Sequence, residues 1–218
     1  MLLRRHRYLS SASSPGPLDL FHLRTPDVDA ATGLCAAGLV RIARCPTDKK
    51  GFGAFAAQPI ETGRELGVYA GEVISLAGLL ERYGDAGGVD SPDEWESANR
   101  QAMWVAERMS RGVGVSGMYV FSAGEDPSTG RDVLIDGEDP VHANWTRFIN
   151  HSGRRPNLSV TREVVPAEND DDGGGSGRKM GKPFVRFIAQ QPIADGEELL
   201  FDYADGFDLQ DVLDFEVE

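Results

Sequence analysis

"RFINHSGRRPN", residues 147–157, is the stretch on which the reading of this chain turns. An apolar pair, Phe148 and Ile149, runs directly into an amide, an imidazole and a hydroxyl on Asn150, His151 and Ser152, and the run closes on Pro156 and Asn157. A serine beside a histidine suggests a nucleophile with its base. Neighbours in sequence rarely face one another as a triad requires, however, and no convincing Gly-x-Ser-x-Gly elbow accompanies them, so a hydrolase built on Ser152 stands below the reading developed here.

Outward from this triplet the chain reads as short β-rich runs punctuated by Gly and Pro. "GFGAFAA" (51–57) alternates small and aromatic residues. "RELGVYAGEVI" (64–74) reads as one strand whose Gly67 and Gly71 mark a bulge or a close backbone approach. Strands follow at 118–123 and 131–137, then at 157–165 and 183–189, and "HANWTRFI" reads as a short helical turn. One helix interrupts them at about 94–110, where Trp95, Ala98, Ala102, Val105, Ala106 and Met109 recur at helical spacing. That stripe is expected to pack into the core, with Ser91 as the N-cap before Pro92. The polar, Gly-rich segment 166–182 reads as a mobile surface loop.

With 218 residues the chain suits one domain with one core. No run approaches the roughly 18 to 20 apolar residues that spanning a bilayer requires. A net charge of −13 argues against nucleic acid as a direct partner and favours a basic protein or peptide. Cys35 and Cys45 have no second Cys or His pair at metal-ligand spacing, so neither a zinc site nor a disulfide framework is expected. The first 18 residues carry Arg4, Arg5 and Arg7, four serines and no acid. Residues 1–35 are therefore set apart as a transit peptide or a disordered basic tail. At the other end, 210–218 forms an acidic tail.

Three separated blocks, "KKGFGAFAAQPIETGRELGVYAGEVI", "RFINHSGRRPN" and "PIADGEELLFDYADGF", together resemble the SET-domain protein lysine methyltransferases in order and spacing. The resemblance covers roughly Asp48 to Phe207. It implies a mostly β (α+β) SET fold of short twisted strands over about 36–209, with one inserted helix and a C-terminal segment threaded beneath the loop around Asn150 and His151. It also implies S-adenosylmethionine as cofactor and the ε-amine of a protein lysine as acceptor, on a histone tail or another lysine-containing protein. A SET-like binding module without turnover is the alternative.

The resemblance assigns roles residue by residue. Gly51, Phe52 and Gly53 would lie along the methionine end of the cofactor, and glycine suits a close backbone approach. Asn150 and His151 would hold the amino-acid and adenine ends, and Tyr119 would stand on the cofactor side. Tyr203 would orient the acceptor amine, Tyr69 would line the lysine channel, and Phe201 would occupy a position that is Phe or Tyr in the family. Glu72 and Glu197 are expected to brace the fold through backbone or Arg147, and Asp202 to fix a loop.

The chain also departs from the pattern. Many relatives carry a zinc-ligating cysteine where Gly153 stands and three more after the domain, whereas "DLQDVLDFEVE" has none. Neither pre-SET nor post-SET zinc clusters are expected. Closure of the cofactor pocket then falls to the apolar residues Phe207, Leu209, Val212, Leu213 and Phe215, to a partner chain, or to a homodimer. Family resemblance implies nucleus or cytoplasm, and a transit peptide would imply an organelle.

Overall fold

The structure is a computed structural model describing residues 25–46, 51–84, 92–167 and 180–203. The basic leader through residue 24, the Ser91 cap, loop residues 168–179 and the acidic tail from 204, with its five apolar residues, lie outside the described residues.

Short strands form three antiparallel sheets and one parallel pair. β1 (Leu34–Cys35), β2 (Val40–Arg44) and β3 (Phe52–Ala56) make the first sheet. β4 (Glu65–Val68), β9 (Leu158–Val165) and β10 (Lys182–Ala189) make the second, with β10 in the centre. β5 (Glu72–Ser75), β6 (Val120–Asp126) and β7 (Arg131–Asp136) make the third, with β7 in the centre. β8 (Asn150–His151) pairs in parallel with β11 (Leu200–Phe201).

The core follows from strand alternation. In β10 the inward set Val185, Phe187 and Ala189 is fully buried, while Lys182, Phe184 and Arg186 face the other side. Val40, Ala54, Val133 and Leu199 join them in one cluster spanning the sheets. Each large apolar side chain contributes roughly 1.5 to 3 kcal/mol on burial.

The single strand expected over 64–74 is two strands in different sheets. The chain turns at Tyr69–Gly71, where a Cβ on Gly71 would fall 2.4 Å from the carbonyl oxygen of Asp136, so backbone crosses backbone there. Immediately beyond β5 lies α1 (Leu76–Tyr83), a helix that the sequence reading left out. Ser75 caps it by accepting from the Gly78 N–H at 3.2 Å, and Leu79 packs it onto Ile74 and Leu134.

α2 (Pro92–Ser110) stands where a helix was expected, but its buried face is turned by about a quarter of a rotation from the expected stripe. Ala98 and Val105 are half-buried as that stripe requires, whereas Trp95 and Met109 are 61% and 57% exposed, and Ala102 and Ala106 are exposed beside them. The face that meets the domain also carries Gln101, Trp104 and Arg108. Gln101 donates to the carbonyls of Arg82 and Gly84, and Arg108 is 2% exposed. Charge explains the rotation. Arg82 and Arg108 close on Glu72 and on Asp136, which is fully buried, while the Tyr83 hydroxyl donates to Asp136 at 2.9 Å. The edge of Trp104 meets Tyr83, and both guanidinium groups lie over its indole.

The boundary at residue 35 also moves toward the N-terminus. Thr25, Val28 and Cys35 are buried, and Asp27 accepts from the backbone N–H of Trp145 at 3.1 Å. A turn-rich composition concealed a segment that closes one end of the core.

Candidate functional site

Four chain segments meet at Gly53. Asn150 donates through Nδ2 to the Phe52 carbonyl at 3.2 Å, to Glu198 Oε1 at 2.9 Å and to Cys45 Sγ at 3.4 Å. The Cys45 thiol in turn lies 3.5 Å from the same Glu198 oxygen. A Cβ on Gly53 would fall 2.9 to 3.0 Å from Cys45 Sγ, Asn150 Nδ2 and Glu198 Oε1, so no larger residue fits without displacing one of them. Gly51 holds the preceding turn at φ +69° while its carbonyl accepts from the Cys45 N–H. The ring of Phe52 meets Phe148 edge-on at 6.5 Å, and Arg44 covers it.

His151 occupies the next position of β8, and its Nδ1 accepts the backbone N–H of Tyr203 at 3.0 Å. That bond places the proton of the neutral imidazole on Nε2. Asp202 lies 3.7 Å from the same nitrogen. Ser152 makes no hydrolase geometry: its Oγ accepts from the Arg155 N–H at 3.1 Å and so stabilises the turn. The loop around it grips the C-terminal strand on both edges, since Ser152 N–H donates to the Phe201 carbonyl and Asn157 N–H to the Leu200 carbonyl, each at 2.9 Å.

An aromatic cluster begins at Tyr203. Its ring is 4.9 Å from His151 and 4.7 Å from Phe201, and Phe201 continues to Phe121 at 5.6 Å and Phe187 at 5.2 Å. Tyr69 closes the set at 5.2 Å from Phe121, and its hydroxyl donates to the Tyr119 carbonyl at 2.6 Å. Tyr203 as a residue is 46% exposed, but its hydroxyl turns inward to donate to the Ile149 carbonyl at 3.4 Å. Burial, with Tyr119 nearby, pushes that phenol up to about 12. Burial raises Tyr69 as well, against the opposing pull of the Arg147 charge.

Beside Tyr119 lies a cavity of about 240 Å³, lined among others by Val113, Ser116, Met118, Glu138 and Arg147. Arg147 stacks on Tyr119 at 4.1 Å and donates to the Glu138 carbonyl at 3.1 Å. The Glu138 carboxylate accepts from the Ser116 hydroxyl and the Gly117 N–H.

The residues singled out from sequence therefore fall into three groups. Gly51, Phe52, Gly53 and Asn150 share the cradle; His151, Tyr203, Phe201 and Tyr69 are linked through the aromatic cluster; and Tyr119 lies with Arg147 on the cavity, tied to the cluster by its carbonyl. Glu72 braces through Arg82 and Arg108 instead of Arg147. Glu197 does brace a turn, accepting from Asn157 Nδ2 and the Ala194 N–H. Neither Glu198 nor Cys45 is expected at this site from the sequence, although Glu198 lies within the Gly-Glu-Glu-Leu block itself and Cys45 is weighed there only as a metal ligand or disulfide partner. Gly153 is not there for want of room: a Cβ would sit 3.6 Å from His151, in ordinary contact. Among the described residues no cluster of three or more His, Cys, Asp or Glu side chains could hold a metal.

Small β-sheets with two inserted helices, and a C-terminal strand held inside the Asn150–Asn157 loop beside an aromatic cluster, define a SET-type domain. The SET domain family model matches residues 51–204, most of the chain, and the chain belongs to that family, whose members are in general protein lysine methyltransferases.

Among solved structures, similarity is found to the Polycomb Repressive Complex 2 of Chaetomium thermophilum bound to GSK126. Identity is 22% over 78% of this chain and 16% of the other, with a TM-score of 0.44. An autoinhibited ctPRC2 bound to S-adenosylmethionine matches at 22% identity over 85% of this chain and 17% of that one, with a TM-score of 0.46. An active polycomb repressive complex 2 in its stimulated state matches at 22% over 75% and 15%, with a TM-score of 0.45. The chain thus spans less than a fifth of the chains it resembles. No curated protein matches.

Proposed function

We propose that the domain transfers a methyl group from S-adenosylmethionine to the ε-amine of a lysine in a basic protein or peptide, a histone tail among the candidates. The observation that carries this reading is the convergence of Tyr203, Phe201 and Tyr69 on one aromatic cluster that abuts His151 of the cradle strand, in a chain of this family.

The cradle fits the cofactor. Gly53 keeps strand β3 bare of side chain, and the Asn150 amide leaves an acceptor oxygen, Oδ1, once Nδ2 is engaged. When bound, the cofactor supplies an electrophilic methyl group on a positive sulfonium. Gly51, Phe52, Gly53, Asn150 and His151 would hold it, and Tyr119 would wall the adjoining cavity.

Tyr203 would orient the acceptor amine. A phenol raised to about 12 stays protonated near neutrality and therefore acts through its hydroxyl as a hydrogen-bonding group, not as a general base. Tyr69, held neutral by burial, would fix the wall opposite. The target lysine must arrive neutral, and its ordinary pKa is about 10.4, so desolvation by Phe121, Phe187 and Phe201 would favour loss of its proton. Phe201 offers no hydroxyl to the amine, which leaves room for one that already carries methyl groups. Net charge of −13 suits a basic substrate, and a partner or second copy would complete the wall of the pocket.

The test is incubation of the purified protein with methyl-labelled cofactor, a panel of histones and cell extract, alongside Tyr203→Phe. A labelled band that disappears in the variant is the expected result. Cofactor binding without any labelled product across the panel would overturn turnover and leave a binding module.

A further inference from the structure

The hub around Gly53 contains an acid that the cofactor reading does not use. Glu198 Oε1 accepts from Asn150 Nδ2 at 2.9 Å and lies 3.5 Å from Cys45 Sγ. Its backbone is pinned from both sides: Ala56 N–H donates to the Glu197 carbonyl at 2.9 Å, and Leu199 N–H donates to the Ala54 carbonyl at 2.8 Å. The carboxylate is thus presented to Asn150 by strand β3 itself.

A primary amide can sit either way round, with oxygen and nitrogen exchanged, and only its partners decide. Around Asn150 the partners on one side are a carboxylate oxygen, a carbonyl oxygen and a sulfur, and all three take a hydrogen bond from Nδ2. The Phe52 carbonyl accepts only and already favours Nδ2 on this side, but through a longer bond between neutral groups at 3.2 Å. The charged acceptor makes the strongest of the three bonds and fixes the choice.

We propose that Glu198 is a positioning residue for the cofactor cradle: by holding Asn150 Nδ2 it keeps Oδ1 as the acceptor offered to a cationic amino group. This rests on the methyl-transfer reading and adds to it the group that sets the polarity of the cradle. Turned round, the same amide would present a donor to an ammonium, and the two would repel.

The test compares two ligands by calorimetric titration. S-adenosylmethionine carries the amino-acid end, whereas methylthioadenosine has the adenosine and sulfur without it. Glu198→Ala is expected to lower affinity for S-adenosylmethionine about tenfold or more, and to leave methylthioadenosine within about twofold. Asn150→Asp alone sets two carboxylates against each other and binds S-adenosylmethionine poorly. Combined with Glu198→Gln, the hydrogen bond reverses, the new amide donating to the new carboxylate, and affinity returns to within about fivefold of the unaltered chain.

Equal losses for both ligands in Glu198→Ala would mark a structural effect and overturn the inference. So would a double variant no better than Asn150→Asp. Absence of S-adenosylmethionine binding in the unaltered chain would instead overturn the methyl-transfer reading, and this inference with it. Thermal unfolding of each variant confirms that the comparison is made on folded protein.

Discussion

Strand β7 ends between two regions built on opposite principles. The Asp136 side chain enters a cluster of two arginines and two acids that ties α1 and α2 to the sheet. One residue later, a Cβ on Gly137 would fall 2.7 Å from the Tyr69 hydroxyl, and the Gly137 N–H donates to the Tyr119 carbonyl. The clamp is held by charges that satisfy one another. The slot is held by neutral rings and hydroxyls, where a fixed charge would raise or lower the tendency of an amine to lose its proton. Placed side by side, the two show ion pairs tying the helices to the third sheet, and a slot walled by rings with the Arg147 and Arg162 guanidinium groups stacked at its margin.

On this division the clamp is expected to set stability and the slot to set chemistry. The largest effect is expected from Asp136→Ala, which leaves Glu72 as the one acid facing two guanidinium groups, removes the acceptor of the Tyr83 hydroxyl and should cost about 3 kcal/mol or more. Urea unfolding should show a lower midpoint with an unchanged slope. Tyr203→Phe should do the reverse. It should lower turnover by roughly a hundredfold or more while stability moves by less than about 1 kcal/mol, because the hydroxyl makes only a 3.4 Å bond. Single-turnover kinetics beside thermal unfolding would measure both.

Gly53→Ala should reduce cofactor affinity by about tenfold, read by titration, as the added methyl group crowds Asn150 and Glu198. Phe201→Tyr should change the product more than the rate. Mass spectrometry of a time course should show higher methylation states with the unaltered chain and a shift toward monomethyl-lysine in the variant. Only monomethyl product from the unaltered chain at long times would sink the idea.

The smallest effect is on alkaline stability. Tyr203 has its folded value raised to about 12 from an unfolded value near 10, so the folded form holds its proton longer. Its contribution is present in full below pH 10 and is lost as pH rises from about 10 through 12. Tyr203→Phe should slightly flatten that limb in a pH series of denaturant midpoints.

Local signals made much of this legible in advance. Gly punctuation and β-branched runs located β3, β7, β9 and β10, and the Asn-His pair, the glycines of β3 and the final tyrosine were readable as motif. What escaped was decided by distance. Cys45 and Glu198 lie 105 and 48 residues from Asn150, and neither has a local pattern that points to it. α1 was hidden because "VISLAGLL" is apolar apart from Ser75, so helix and strand periods give the same reading until Ser75 caps the turn. For α2 the period was right and the face rotated. Hydropathy turns Trp95 and Met109 inward, whereas the half-buried Glu72 on β5 and the buried Asp136 on β7 draw Arg108 inward in their place.

The grip of the Asn150–Asn157 loop on Leu200 and Phe201 has a consequence for the order of events during synthesis. Contacts between residues some fifty positions apart form late, after the intervening strands have found one another. Glu198 and Tyr203 flank β11 and are carried into place with it, so a chain cut before residue 198 would lack both the hub acid and the Tyr203 hydroxyl. Until β11 has docked in that loop, neither group stands beside Asn150 and His151.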